Sequence, residues 1–146
     1  MQLKRVVVTG LGALTPIGNN TNEYWQSLIN GVSGAAAITH FDASKFKTKF
    51  ACELKNFNVE DHIDRREARR MDPFTHFAVV SATEAIEDSK IMESKIDKSR
   101  VGVIYGSGIG GLSSFSHEIR EFGAGDGTPR FTPFFIPKMI SDIAAG

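Results

Sequence analysis

The sequence predicts an α/β fold, and three observations carry that expectation. β-branched runs ending in glycine occur at Arg5–Gly12 and Arg100–Ser107, amphipathic helical stretches alternate with them, and neither an internal repeat nor a low-complexity tract breaks the pattern. Strands that alternate with helices favour a layered arrangement with some parallel pairing. At 146 residues, 41% hydrophobic and 23% charged, the chain has the composition of a soluble globular domain with room for a sizeable core. Seventeen basic residues balance seventeen acidic ones, so no global field favours nucleic acid or an anionic membrane. A single cysteine excludes an internal disulfide framework and a cysteine-based zinc cluster, and it suits a reducing cytosol.

The elements follow in order. Lys4 and Arg5 before an apolar run superficially resemble a signal peptide. Gly10, Gly12 and Pro16 interrupt that run, and no small-residue cleavage site follows. No stretch reaches the roughly 18 apolar residues a membrane span needs. Arg5–Gly12 therefore reads as a buried strand. Asn20 with Glu23 three residues on is a capping-box arrangement, Trp25, Leu28 and Ile29 share one helical face, and Gly31 ends the helix. Lys49–Leu54 alternates, which puts Phe50, Cys52 and Leu54 on one side of a strand and predicts Cys52 as a buried structural thiol.

Asp64 opens a short charged helix. Asp72 caps the next one, with Pro73 at its first position. That long helix puts Phe74, Phe77, Ala78, Ser81, Ala82, Ala85 and Ile86 on one stripe, small enough to let a neighbouring element approach closely. Arg100–Ser107 is the next strand and Leu112–Phe122 the next helix. An unusually long irregular segment follows over Gly123–Pro137, and a further helix starts at Lys138. That last helix has barely begun at Gly146, so the chain is expected to be part of a larger domain.

Gly106, Gly108 and Gly111 form a Gly-x-Gly-x-x-Gly loop after a strand. A dinucleotide site would need this loop in the first strand–turn–helix unit and an acid about 20 residues further on to hold the ribose. Here the loop lies about a hundred residues into the chain, and Glu118, Glu121 and Asp126 end no strand. The N-terminal Thr9–Gly18 stretch also fails the short-chain dehydrogenase pattern, since Leu14 and Pro16 stand where its later glycines belong. The glycines are expected to make a tight turn of backbone against backbone, or a site for something other than a nucleotide.

Four blocks in order, Arg5–Asn19, Asp64–Ala78, Gly106–Leu112 and Pro129–Gly146, together resemble the bacterial beta-ketoacyl-acyl-carrier-protein synthase II family of condensing enzymes. The resemblance implies a thiolase-like layered αβαβα fold, of which only part of the N-terminal half is present. It implies a homodimer in the cytoplasm, with acyl carrier protein as partner and no cofactor, metal, nucleic acid or membrane. The implied reaction is the decarboxylative Claisen condensation of fatty acid biosynthesis. It needs a cysteine thiolate at a helix N-terminus, two histidines and backbone oxyanion donors. By resemblance the cysteine lies just beyond Ala144-Ala145-Gly146 and the histidines further on. Residues 1–146 are then the N-terminal part of a beta-ketoacyl synthase domain, truncated before the catalytic cysteine and without a catalytic residue. Cys52 and the four histidines, His40, His62, His76 and His117, match no catalytic position.

What the chain then contributes is recognition surface. Arg66, Arg69 and Arg70, at i, i+3 and i+4, share a helical face. By resemblance this face meets the acidic carrier protein, and Arg130 marks a second basic spot. The family has a further basic residue beside that spot which this sequence lacks. Without the resemblance, the same arginines read as a solvated helix paired internally to Asp64 and Glu67. Also by resemblance, Ile109 and Leu112 touch the acyl chain, and Phe135 and Ile136 belong to the neighbouring subunit's tunnel. Two other readings stay open: a non-catalytic carrier-binding module, and a nicotinamide-dependent oxidoreductase, which the glycine loop disfavours.

Overall fold

The computed structural model describes residues 3–146, which form two compact units. Residues up to Phe57 together with Ser81–Ser94 make one, and Asn58–Val80 together with Lys95–Gly146 make the other. The order of elements is α1 (Thr21–Ile29), β1 (Ala36–Ala37), β2 (Phe50–Ala51), α2 (Arg65–Ala68), α3 (Pro73–Ser89), α4 (Leu112–Ala124) and α5 (Phe135–Met139), with short 3-10 turns between them. Among the described residues no helix is long and apolar enough to cross a membrane.

In the first unit, α1 starts and stops by local chemistry. The Asn20 side chain accepts from the Glu23 N–H at 2.9 Å, and the Glu23 carboxylate accepts from the Asn19 N–H at 2.8 Å. The return bond of the predicted capping box thus falls one residue earlier than expected. At the far end Gly31 adopts φ +64°, Gly31 N–H donates to Leu28 and Val32 N–H donates to Ser27, which is a Schellman closure. The small stripe of α3 receives the N-terminal segment. A Cβ on Gly12 would strike the Ser81 carbonyl, and one on Gly10 would strike that of Ala85. Two carboxylates of α3 hold that segment: Glu84 accepts from the N–H groups of Ala13 and Thr21, each at 2.8 Å, and Asp88 accepts from Leu11 at 2.9 Å.

The predicted strands are mostly not formed. Arg5–Gly12 and Arg100–Ser107 join no ladder, and Val6 is 91% and Ile104 99% exposed. The sheet present is the antiparallel pair β1–β2, with Ala36 opposite Ala51 and Ala37 opposite Phe50. The reason is physical: β-branched residues favour an extended backbone, but its N–H and C=O groups need a second strand to bond. Cys52 follows β2 and is exposed, which corrects its expected burial. The alternation over Lys49–Leu54 extends past a ladder of two residues, which leaves Phe50 and Cys52 exposed and Leu54 half-buried.

The second unit holds the buried residues. Ala68, Ala78 and Val80 are its apolar core, and Asp72 and Thr75 are buried with them. Asp64 caps α2 through a 2.8 Å bond from the Arg66 N–H. His76 Nε2 lies 2.8 Å from the Ala68 carbonyl, so that nitrogen carries the proton and ties α3 to the end of α2. The helix expected from Lys138 begins at Phe135 instead and ends at Met139. Pro137 sits in its first turn, where an N–H has no intrahelical partner to lose.

Candidate functional site

The glycine loop comes first, because its backbone decides what it can hold. Gly110 has φ +90°, a conformation that favours glycine, and its N–H donates to Ser107 Oγ at 3.1 Å. Gly111 is buried against α5: a Cβ there would strike the Lys138 carbonyl, and its N–H donates to Met139 O at 3.4 Å. Gly106 and Gly108 meet open space. Of the three fingerprint glycines, only Gly111 is required by close approach of backbone. Two amides that a phosphate cradle would need are already bonded within the protein, so the loop is a turn packed on α5.

Beside that turn lies a small apolar cavity of about 230 Å³, lined by Ile109, Gly111, Leu112, Phe115 and Met139. Ile109 and Leu112, both expected to touch an acyl chain, are brought together here. Phe135 does not line the cavity. It is half-buried in a ladder of rings, stacked on Phe115 at 6.4 Å and on Phe131 at 5.2 Å, with Phe122 next to Phe131 at 5.6 Å. Ile136 stands apart, 64% exposed. Sequence reasoning missed Phe115 and Met139 as lining residues. The i, i+3 spacing of Leu112 and Phe115 was the available signal for the first, while Met139 arrives only through the turn of α5.

The cationic group divides into free and engaged members. Arg70 donates to Glu67 at 3.1 Å, and its guanidinium lies 5.4 Å from the centre of the Phe134 ring. Arg130 pairs with Asp126 at 3.2 Å and lines a mixed cleft of about 470 Å³ whose wall includes Glu118 and Glu121. Arg65 pairs with Glu60 at 3.3 Å. Among the described residues, the side chains of Arg66 and Arg69 have no acidic partner. The expected pairing to Glu67 forms, but only for Arg70, and Asp64 is committed to its cap. The positive charge available to a partner is therefore centred on Arg66 and Arg69, and the acidic neighbours of Arg130 weaken the second basic spot. Among the described residues no cluster of histidine, cysteine, aspartate and glutamate could hold a metal ion.

Comparison with known proteins is consistent across sequence and structure. Residues 3–146 match the family described as beta-ketoacyl synthase, N-terminal domain. The chain is 46% identical over 145 residues to a 3-oxoacyl-[acyl-carrier-protein] synthase 2 of Staphylococcus aureus (strain COL), covering 99% of this chain and 35% of that protein. It is 44% identical over 146 residues to the synthase of the same name from Synechocystis sp., again covering 35% of its length. This chain thus spans about a third of the curated relatives it matches. Among solved structures, a ketosynthase in complex with its type II PKS acyl-carrier protein superposes with a TM-score of 0.76 at 24% identity, over 99% of this chain and 37% of that one. A beta-ketoacyl synthase from Burkholderia phymatum superposes with a TM-score of 0.74 at 25% identity, over 98% of this chain and 35% of that one. The thiolase-like α/β class expected from the sequence is that of these neighbours, here in a partial N-terminal portion. This chain belongs to the beta-ketoacyl synthase family.

Proposed function

We propose that the chain is the N-terminal part of a longer condensing enzyme of fatty acid biosynthesis. In that enzyme an acyl group on a cysteine thioester is joined to malonyl-acyl carrier protein with loss of carbon dioxide, giving 3-oxoacyl-acyl carrier protein. The observation that carries this reading is the family match over residues 3–146, with two relatives named as 3-oxoacyl-[acyl-carrier-protein] synthases. The cysteine thiolate and two histidines that do the chemistry lie beyond Gly146 in this reading. Cys52, exposed after β2, is not the nucleophile.

Within the reaction, this chain's residues bind and orient. Ile109, Leu112, Phe115 and Met139 offer an apolar wall to the acyl chain, which leaves water on entering and gains roughly 0.8 kcal/mol per buried methylene. Arg66 and Arg69 attract the acidic carrier protein, and a relative solved in complex with its acyl-carrier protein supports that partner. The enzyme works in the cytoplasm as a homodimer, in which Phe135 and Ile136 reach the neighbouring subunit's tunnel. The exposure of Ile136, an apolar side chain left 64% open, supports this.

The test is an assay of the full-length enzyme with acyl- and malonyl-carrier protein. Formation of the 3-oxoacyl product with release of carbon dioxide is expected. Carrier binding without product would instead favour the non-catalytic module.

A further inference from the structure

Asp72 is the most deeply buried polar side chain among the described residues, at 2% exposure, and the ion pairs of the chain do not include it. A buried carboxylate without a cation needs strong donors. Asp72 takes its short bond from outside its own helix: Oδ2 accepts from the backbone N–H of Ser114 at 2.7 Å, forty-two residues away, while Oδ1 faces the Phe74 N–H at 3.5 Å. Ser114 is the third residue of α4, and its N–H is one of the four that a helix leaves unbonded. The residue that would cap α4 is Gly111, which has no side chain to do it. Asp72 supplies the missing cap from a distance, and its charge faces the positive end of α4.

The first turn of α4 is also the wall of the apolar cavity, through Leu112 and Phe115. We propose that Asp72 is a positioning residue for acyl-chain selection, acting by pinning the first turn of α4 through Ser114 so that Leu112 and Phe115 hold a fixed wall. This rests on the proposed function, in which the cavity takes the acyl chain. Long chains reach the wall and depend on its position, whereas short chains do not. Losing the pin therefore lowers the preference for long over short chains, and a change of about tenfold is the size that pocket contacts of this kind produce.

The experiment uses the full-length enzyme and compares kcat/KM for palmitoyl and hexanoyl groups on the carrier protein. Asp72→Asn keeps the shape and removes the charge, which weakens the Ser114 bond because the amide oxygen that remains accepts less strongly. Ser114→Pro removes the backbone donor together with the serine hydroxyl, at a helix position where this chain already tolerates proline, since Pro137 is the third residue of α5. Both variants should lower the long-to-short ratio, Ser114→Pro by about tenfold, and the double variant should lower it no further than Ser114→Pro alone, because both act on one bond. Glu84→Gln, another helix-borne carboxylate that accepts backbone N–H groups, should lower stability and leave the ratio unchanged. A ratio unchanged in Asp72→Asn and Ser114→Pro, with only the thermal midpoint lowered, would overturn the proposal. Failure of both variants to fold would overturn it too, by making the bond a general requirement of the fold. Ile109→Phe separates the two levels. If it shifts the ratio while Asp72→Asn and Ser114→Pro both leave it unchanged, the cavity reading survives and the role of Asp72 fails. If none of the three shifts it, or the wild type makes no 3-oxoacyl product, the underlying reading fails.

Discussion

The guanidinium of Arg70 sits over the ring of Phe134, 5.4 Å from its centre, while it donates to Glu67 at 3.1 Å. An arginine that the sequence placed in a docking face is thereby tied to the segment leading into α5. Stacking a cation on a partly exposed ring contributes about 0.5–1 kcal/mol, and an exposed ion pair contributes about 1 kcal/mol at most.

Arg70→Ala in the full-length protein is accordingly expected to lower stability by about 1 kcal/mol, read by chemical denaturation. Arg70→Lys should recover only part of this, because an ammonium lacks the planar face that stacks. If Arg70→Ala raised the Michaelis constant for carrier-bound substrate and left stability untouched, Arg70 would be a docking residue first.

Arg66 and Arg69, with no acidic partner among the described residues, should behave oppositely. Replacing both with glutamate is expected to raise the Michaelis constant for acyl-carrier substrate on the order of tenfold at low salt, with little loss of stability. The effect should shrink with added salt and be smaller with acyl-coenzyme A. Equal damage with both carriers would mean that α2 is structural and that the carrier docks elsewhere.

Ile109→Phe adds bulk to one side of a cavity of only about 230 Å³. Long acyl chains should lose about tenfold or more in kcat/KM, while short ones stay within about threefold. Parallel losses for all chain lengths would show that the substitution disturbs the glycine turn rather than the tunnel.

Residues 1–146 expressed alone are expected to give no condensation product, because loss of a nucleophile and its assisting groups costs several powers of ten in rate. The isolated chain should also associate, with Val6, Val8, Val103 and Ile104 exposed along unpaired segments. Product formation abolished by Cys52→Ala would overturn the assignment of that residue. A sharp thermal transition from a monodisperse monomer would favour the stand-alone module.

Glu53 gives a pH-dependent signature. It accepts from the Thr39 hydroxyl at 2.6 Å and from the Thr39 and His40 N–H groups, and the hydroxyl bond above all holds its carboxyl below the usual glutamate range. A folded-state pKa lowered in this way stabilises the hairpin fully above the ordinary glutamate value. That contribution is lost as pH falls through the lower folded value. An NMR titration of the Glu53 carboxyl carbon should show the low midpoint, and Thr39→Val should move it up. The same midpoint in both proteins would remove the hydroxyl as the cause.

What the sequence determined by itself is what neighbouring residues decide among themselves. Asn20 and Glu23 at the start of α1, Gly31 at its end, Asp64 before α2 and Pro73 opening α3 all act within a few residues, so their chemistry was legible from spacing alone. The family, too, was legible, because four ordered blocks are a property of sequence. Tertiary structure decided everything that needed a partner from far along the chain. Asp72 read as a local cap, yet its short bond goes to Ser114. Arg70 read as part of a cationic helical face, and only folding brings it onto the Phe134 ring. Gly111 read as part of a tight turn of backbone against backbone, but only folding shows that the backbone it meets is the Lys138 carbonyl. The two valine-rich runs carried the propensity for strands but not the strands that would bond to them. Propensity acts within a residue, whereas a ladder, a remote cap or a stacked cation exists only when folding brings the second group into reach.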